Sequence, residues 1–318
     1  MNDQNTQSRH WSAVNELGFL TGMRLMFWVC KVFGRWPFRL ILYPVLLWYV
    51  LFKPSARRAS RDYLKHLSQV TPINTSIIKV IQHFAAFAEM MLDKMLLWSG
   101  LFDVSSVRFF GTEKMKQFIA EKRGVLLICS HLGNLDLCRV LSNRHSELKL
   151  TVLVHTKHAQ RFNHLLETIN PASQLNLMQV TEITPATAMI LAKKIAQGEF
   201  VVIAGDRIPV AKNPRVVTAN FLGTTAQFPI GPYVLASVLQ CPVYMLFSMR
   251  CKHGQNEIHY ELLRDSIRLP RKGREQVLSE LASEYAARLE AHCLATPLQW
   301  FNFYDFWYLP MDISDARP

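Results

Sequence analysis

The sequence predicts an α/β fold: a central, mostly parallel sheet covered by helices, preceded by an N-terminal helical segment. Three observations predict it. Strand-length apolar runs, GVLLIC (124–129), TVLV (151–154), EFVVIAG (199–205) and CPVYMLFSM (241–249), recur along the chain. Helix-length segments with their own start and stop signals lie between several of them. Near-continuous apolar strands alternating with helices are what a parallel sheet covered on both faces requires. A fifth strand is expected at EIHYELL (257–263).

The helices follow in order. Residues 75–100 place Ile77, Ile78, Ile81, Phe84, Phe87, Met91 and Leu92 near one helical face. Leu135–Leu141 reads as a helix start with Asn134 as its N-cap, and Arg161–Ile169 as a further helix. Thr184-Pro185 opens a helix as cap and first-turn proline, running to Gln197 and closed by Gly198. Pro229 is expected to open a helix through Leu239. Arg274–Leu294 is amphipathic, with Val277, Leu278, Leu281, Tyr285, Leu289 and His292 as its stripe.

The chain has 318 residues, a net charge of +12 and 50% hydrophobic residues. Its mean hydropathy is +0.07. Apolar and basic together point to a membrane surface, an acidic partner, or both. Residues 1–65 concentrate both properties, with ten Lys or Arg against three acids. Arg24, Lys31, Arg35 and Arg39 form a basic helical stripe with Trp28 beside it, which suits a helix lying among anionic headgroups. LILYPVLLWYVLF (40–52) is too short for a clean span, and Pro44 is expected to kink or break it. Two units are therefore expected: a membrane-associating segment, 1–65, and an α/β domain, 66–318. Packing of the N-terminal helices on the rest of the fold is the alternative. The polar start MNDQNTQSRH gives no sign of a signal peptide. The six cysteines include no CxxC pair and none lies at metal-ligand spacing from a histidine, so core thiols are expected and no metal site. The basic residues do not form a nucleic-acid module, so nucleic acid is not an expected partner.

Polar residues collect where strands end. CSHLGNLD (129–136) follows the first strand, and Asp206-Arg207 follows the third. Ligands of open parallel sheets gather at the carboxyl ends of strands. His131 and Asp136 are five residues apart, and Gly133 allows a turn that returns the carboxylate to the imidazole. A carboxylate on one ring nitrogen leaves the other free to take a proton from a hydroxyl. By spacing alone, HxxxxD suits a structural histidine as well as a catalytic one. Ser130 lacks the setting of a nucleophile elbow.

HLGNLD resembles the HX4D/E motif of the lysophospholipid acyltransferase superfamily, and of the lipid A late acyltransferases within it. HAQRFNHLLETIN (158–170), GEFVVIAGDR (198–207), FLGTTAQFPIGPYVLA (221–236) and PLQWFNFYDFW (297–307) are similar to further blocks of that family, in the same order. The GDR and WFNFYDFW variants most resemble the acyltransferases of aryl-polyene pigment clusters.

The resemblance implies transfer of an acyl group from a thioester on acyl carrier protein to a hydroxyl of a membrane lipid or glycolipid. It implies no cofactor beyond the donor's own phosphopantetheine, and a place on the inner membrane with the catalytic domain facing the cytoplasm. His131 would be the general base, oriented by Asp136. Oxyanion donors would come from backbone N–H groups of the 131–135 turn, the Asn134 side chain or Arg207. Arg161 and Arg207 would hold phosphates, and Asp206 would position Arg207 or the acceptor. Phe221, Gly223 and Phe228 would wall an acyl slot, core packing being the alternative for the aromatics. The six aromatics among residues 300–307 are expected in the core or at the membrane edge. A lipid-binding scaffold without chemistry, and a thioester hydrolase, remain as alternative functions.

Overall fold

A computed structural model describes residues 28–29, 32–34, 36–98, 100–138, 148–154, 176–179, 184–208, 214–251 and 254–307. The elements used below are α1 (Trp36–Phe52), α2 (Pro54–Val70), α3 (Ile77–Trp98), β1 (Arg108–Phe110), α4 (Thr112–Ala120) and β2 (Val125–Cys129). There follow β3 (Leu150–Val154), β4 (Asn176–Gln179), α5 (Pro185–Ala196), β5 (Phe200–Ala204), β6 (Val216–Phe221) and β7 (Thr224–Pro229). The last four are α6 (Gly231–Leu239), β8 (Val243–Arg250), β9 (Asn256–Arg264) and α7 (Arg274–Ala295).

Among the described residues, seven strands form one sheet in the order β1-β9-β8-β2-β5-β3-β4. β8, β2, β5, β3 and β4 run parallel, while β9 is antiparallel to β8 and carries β1 parallel to itself. The mostly parallel sheet expected from the apolar runs is therefore present. β2 shows why a strand with apolar residues throughout must lie inside: every residue is buried. Its alternate side chains serve two cores, Leu126 and Ile128 on one face and Val125, Leu127 and Cys129 on the other. The first core takes residues of α1, α2, α3, α5, α6 and α7, and the second those of α4 and the end of α3.

The helix signals hold locally. The Thr184 side chain accepts from Thr187 N–H at 3.2 Å and caps α5. α7 buries Leu278, Leu281, Tyr285 and Leu289 as its pattern requires. His292 sits on that stripe because Glu261 of β9 takes its ring nitrogen at 2.7 Å. Pro229 ends β7 instead of opening a helix, and α6 starts at Gly231. Leu135–Leu137 form a short 3-10 turn, capped by Asn134 as expected, and residues 139–141 of the expected helix lie outside the described residues. The expected helix at 161–169 lies outside the described residues.

β6 and β7 form a separate antiparallel hairpin beside α7, an element that the sequence reading did not contain. Its two turn residues, Leu222 and Gly223, have φ of 52° and 77°, as a tight two-residue hairpin loop demands.

α1 runs through Pro44 without ending there, which corrects the expected break. Its Trp36, Leu40, Tyr43, Leu47 and Leu51 are exposed at helical spacing, and Leu46 and Val50 join the first core. At 17 residues α1 is about 26 Å long, short of a bilayer's hydrocarbon thickness. No helix among the described residues is long and apolar enough to cross a membrane. Arg39 departs from the expected basic stripe: it forms a two-pronged pair with Glu89 of α3 at 2.5 and 3.1 Å. Arg24, Lys31 and Arg35 lie outside the described residues. The boundary expected after residue 65 falls inside α2, whose Tyr63, Leu64 and Leu67 are buried in the first core.

Candidate active site

The site follows from strand register. β2 and β5 are neighbours, and their last residues, Cys129 and Ala204, are paired. Gly205 N–H extends the pairing by one bond to Cys129 O, at 2.8 Å. Two residues beyond each strand end stand His131 and Asp206. His131 Nδ1 donates to Asp206 Oδ1 at 2.7 Å, and His131 backbone N–H donates to Asp206 Oδ2 at 2.7 Å. The carboxylate can only accept, so Nδ1 carries the proton and a neutral ring presents its lone pair at Nε2. The His131 side chain is 32% exposed while that of Asp206 is fully buried. A reachable base is thus backed by an unreachable acid.

Asp206 is ionised despite its setting. Burial raises its carboxyl pKa, but the charge and hydrogen bonds of His131, with help from Arg207, outweigh burial and bring it below the usual value. Trp300 Nε1–H also donates to Oδ2, at 2.9 Å, and Asn302 Nδ2–H approaches the same oxygen at 3.4 Å.

The turn after His131 is fixed by its surroundings. Gly133 has φ +62°, and a Cβ there would stand 2.1 Å from Ser248 O, so only glycine lets the turn pass over β8. Gly133 N–H donates to Gln299 O and Phe301 N–H to His131 O, so the C-terminal segment lies over the turn as a short antiparallel bridge. The Gln299 side chain in turn clasps the backbone of Arg250 at the end of β8, at 2.6 and 2.7 Å. From below, the buried Tyr285 hydroxyl donates to Cys129 O at 2.7 Å.

The structure places the expected residues as follows. Ring nitrogen Nδ1 is held by Asp206 and not by Asp136, whose carboxylate pairs with Lys94 of α3 at 2.5 Å. Asn134 is buried, accepts from Asp136 N–H at 3.2 Å through its side chain, and receives the Ser248 hydroxyl at its carbonyl. Its side-chain amide nitrogen has no partner.

Arg207 is tied to the C-terminal segment: Nε–H donates to Asn302 Oδ1 at 2.7 Å and Nη2–H to Phe301 O at 3.0 Å. Phe221 and Phe228 are fully buried among Trp300, Tyr285 and Phe306, so they are core beneath the site and not open walls. Gly223 is at the hairpin tip against Gln69 and Val70 of α2. Arg161 lies outside the described residues. Two surface clefts, of about 230 and 370 Å³, open among residues preceding β2, β3, β5 and β8, at the sheet edge opposite His131.

Lys94 and Trp300 were not legible as site residues. Lys94 has no motif around it. Trp300 sits in a run whose aromatic density reads as packing.

A family model of bacterial lipid A biosynthesis acyltransferases matches residues 64–308. The chain belongs to this family. A search of curated proteins returned no match. Membership makes the protein an acyltransferase of lipid biosynthesis, and the matched span contains His131, Asp136, Asp206 and the Gln299–Trp300 segment. The lipid A acyltransferase family resemblance read from the five blocks is therefore confirmed.

Proposed function

We propose that the protein moves an acyl chain from an acyl carrier protein thioester to a hydroxyl of a membrane lipid or glycolipid, with His131 as general base. The observation that carries the reading is the His131–Asp206 pair at the ends of neighbouring parallel strands. Nε2 takes the proton of the acceptor hydroxyl. The resulting oxygen nucleophile attacks the thioester carbonyl. The tetrahedral intermediate then expels the thiolate, which takes the proton back from the imidazolium and leaves as free phosphopantetheine thiol. Asp206 holds the ring in the tautomer that makes Nε2 the base, and its charge stabilises the imidazolium. Donors aimed at the oxyanion are commonly worth about 3 kcal/mol each. Backbone N–H groups of the 131–135 turn, the unpartnered Asn134 amide and the free donors of Arg207 are the candidates.

Asp136 anchors the turn to α3 through Lys94, and Arg161 and Arg207 meet phosphates of the donor arm or acceptor. The net charge of +12 suits an acidic carrier protein. The exposed apolar face of α1 suits the surface of the inner membrane, with the catalytic domain on the cytoplasmic side. An aryl-polyenoyl donor is the narrower form of this reading, resting on the GDR and WFNFYDFW blocks.

The test uses purified protein, acyl carrier protein thioester and membrane lipid, with free thiol and lipid mass both followed. Thiol release together with acylated lipid supports the reading. Free fatty acid in place of acylated lipid identifies a hydrolase, and lipid binding without thiol release identifies a scaffold.

A further inference from the structure

Asp206 Oδ2 is crowded with donors. It takes the His131 backbone N–H at 2.7 Å, the Trp300 indole N–H at 2.9 Å and the Asn302 amide at 3.4 Å, while Oδ1 takes the ring. A protonated carboxyl would need an acceptor for its O–H. At Oδ2 none is offered, because the indole, backbone and amide N–H groups there only donate, and a proton on Oδ1 would require the His131 ring to give up its own Nδ1 proton. Rotation of the carboxylate would break the ring contact and the indole contact together.

The indole itself has almost no freedom. Trp300 is fully buried, with Tyr63, Phe221 and Phe306 against it at ring distances of 5.2, 5.2 and 4.8 Å. Its carbonyl accepts from His83 Nε2–H at 3.0 Å, and the residues on either side bond to the His131–Gly133 turn. The imidazole and the indole thus grip opposite oxygens of one carboxylate from a common backbone clasp.

We propose that Trp300 is a positioning residue for the acyl transfer: its indole N–H holds Asp206 on Nδ1 of His131 and sets the basicity of the pair. This rests on the assignment of His131 as base. Trp300 does not touch substrate and acts through Asp206 alone. Loss of the indole N–H frees the carboxylate to turn from its productive setting, which lowers kcat, and leaves more charge on the carboxylate, which stabilises the protonated ring. The other charged or titratable groups that face Asp206 are Arg207, Cys129, Tyr285, Cys293 and Tyr304. Burial pushes all four of these thiols and phenols upward, so they stay neutral across the working range.

Trp300→Phe keeps most of the ring and removes the donor. Its kcat for thiol release should fall on the order of 10- to 100-fold, the range of a hydrogen bond to a charged group, with KM for the thioester nearly unchanged. The acid limb of the pH–rate profile should move to higher pH. An acid limb that stays in place, whatever happens to kcat, overturns the proposal, since a purely structural tryptophan has no reason to move it.

A second measurement needs no variant at Trp300. In wild-type protein with ¹⁵N-labelled tryptophan, one of the seven indole N–H signals should follow the titration of the His131 ring, and Asp206→Asn should abolish that coupling. No indole signal tracking His131 also overturns the proposal. The titration does not depend on turnover, so a failed acyl-transfer assay with a coupled indole signal would reject the function and leave the clasp standing.

Discussion

His83 offers a perturbation whose size follows from its surroundings. The ring is fully buried between α2 and the C-terminal segment. Its Nε2–H donates to Trp300 O at 3.0 Å, so Nδ1 accepts from the Ser60 hydroxyl at 2.9 Å. Burial lowers its pKa from 6.5 to about 4, only partly offset by the bond to the Trp300 carbonyl. The unfolded chain therefore binds this proton more readily than the folded one between those two values. Stability contributed by the neutral ring is complete above the unfolded value, is lost as the pH falls, and totals about 3 kcal/mol. By pH 4.5 about 2 kcal/mol of it is gone. Glutamine can donate to Trp300 O and accept from Ser60 without titrating. Denaturant unfolding of wild type and His83→Gln from pH 7 to 4.5 isolates this proton, because the other groups cancel in the difference. The stability advantage of wild type over the variant should shrink by about 2 kcal/mol over that range. Two parallel stability curves would refute a neutral buried ring at this position.

Three further predictions concern the site and the core under it. Asp206→Asn should lower kcat on the order of 10²- to 10⁴-fold, as loss of a ring-orienting carboxylate does, and Asp136→Asn should cost less; equal losses in a thiol-release assay would contradict the roles assigned here. Gly133→Ala should cost more than about 3 kcal/mol in chemical denaturation and remove most activity, since its Cβ would meet Ser248 O at 2.1 Å with φ at +62°. Phe228→Ala should cost about 3–5 kcal/mol, the range for truncating a fully buried phenylalanine. A loss under about 1 kcal/mol would instead point to an open wall able to refill with solvent or acyl chain.

The sheet was legible because its central strands are apolar throughout, and the caps of α5 and the stripe of α7 because they rest on local chemistry. β1 and β4, with three and four residues, are too short for a periodic signal. The β6–β7 hairpin mixes polar with apolar positions and turns on Leu222-Gly223, a weak hairpin signature. Which acid meets the His131 ring was not legible, for a topological reason. HxxxxD draws the eye to Asp136 because it is close in sequence, but what reaches the ring is set by which strand lies beside β2. That neighbour is β5, not the next strand in sequence, and β5 delivers Asp206. Trp300 arrives from still farther along the chain, by a backbone bridge to Leu132 that no local pattern announces.

The role of His131 is tested most directly by His131→Gln, which keeps a polar side chain but has no titratable nitrogen. With carrier-linked thioester and membrane lipid present, the variant should release no thiol above background while retaining the wild-type circular dichroism spectrum and unfolding midpoint. Thiol release at wild-type rate from that folded variant would contradict His131 as the base.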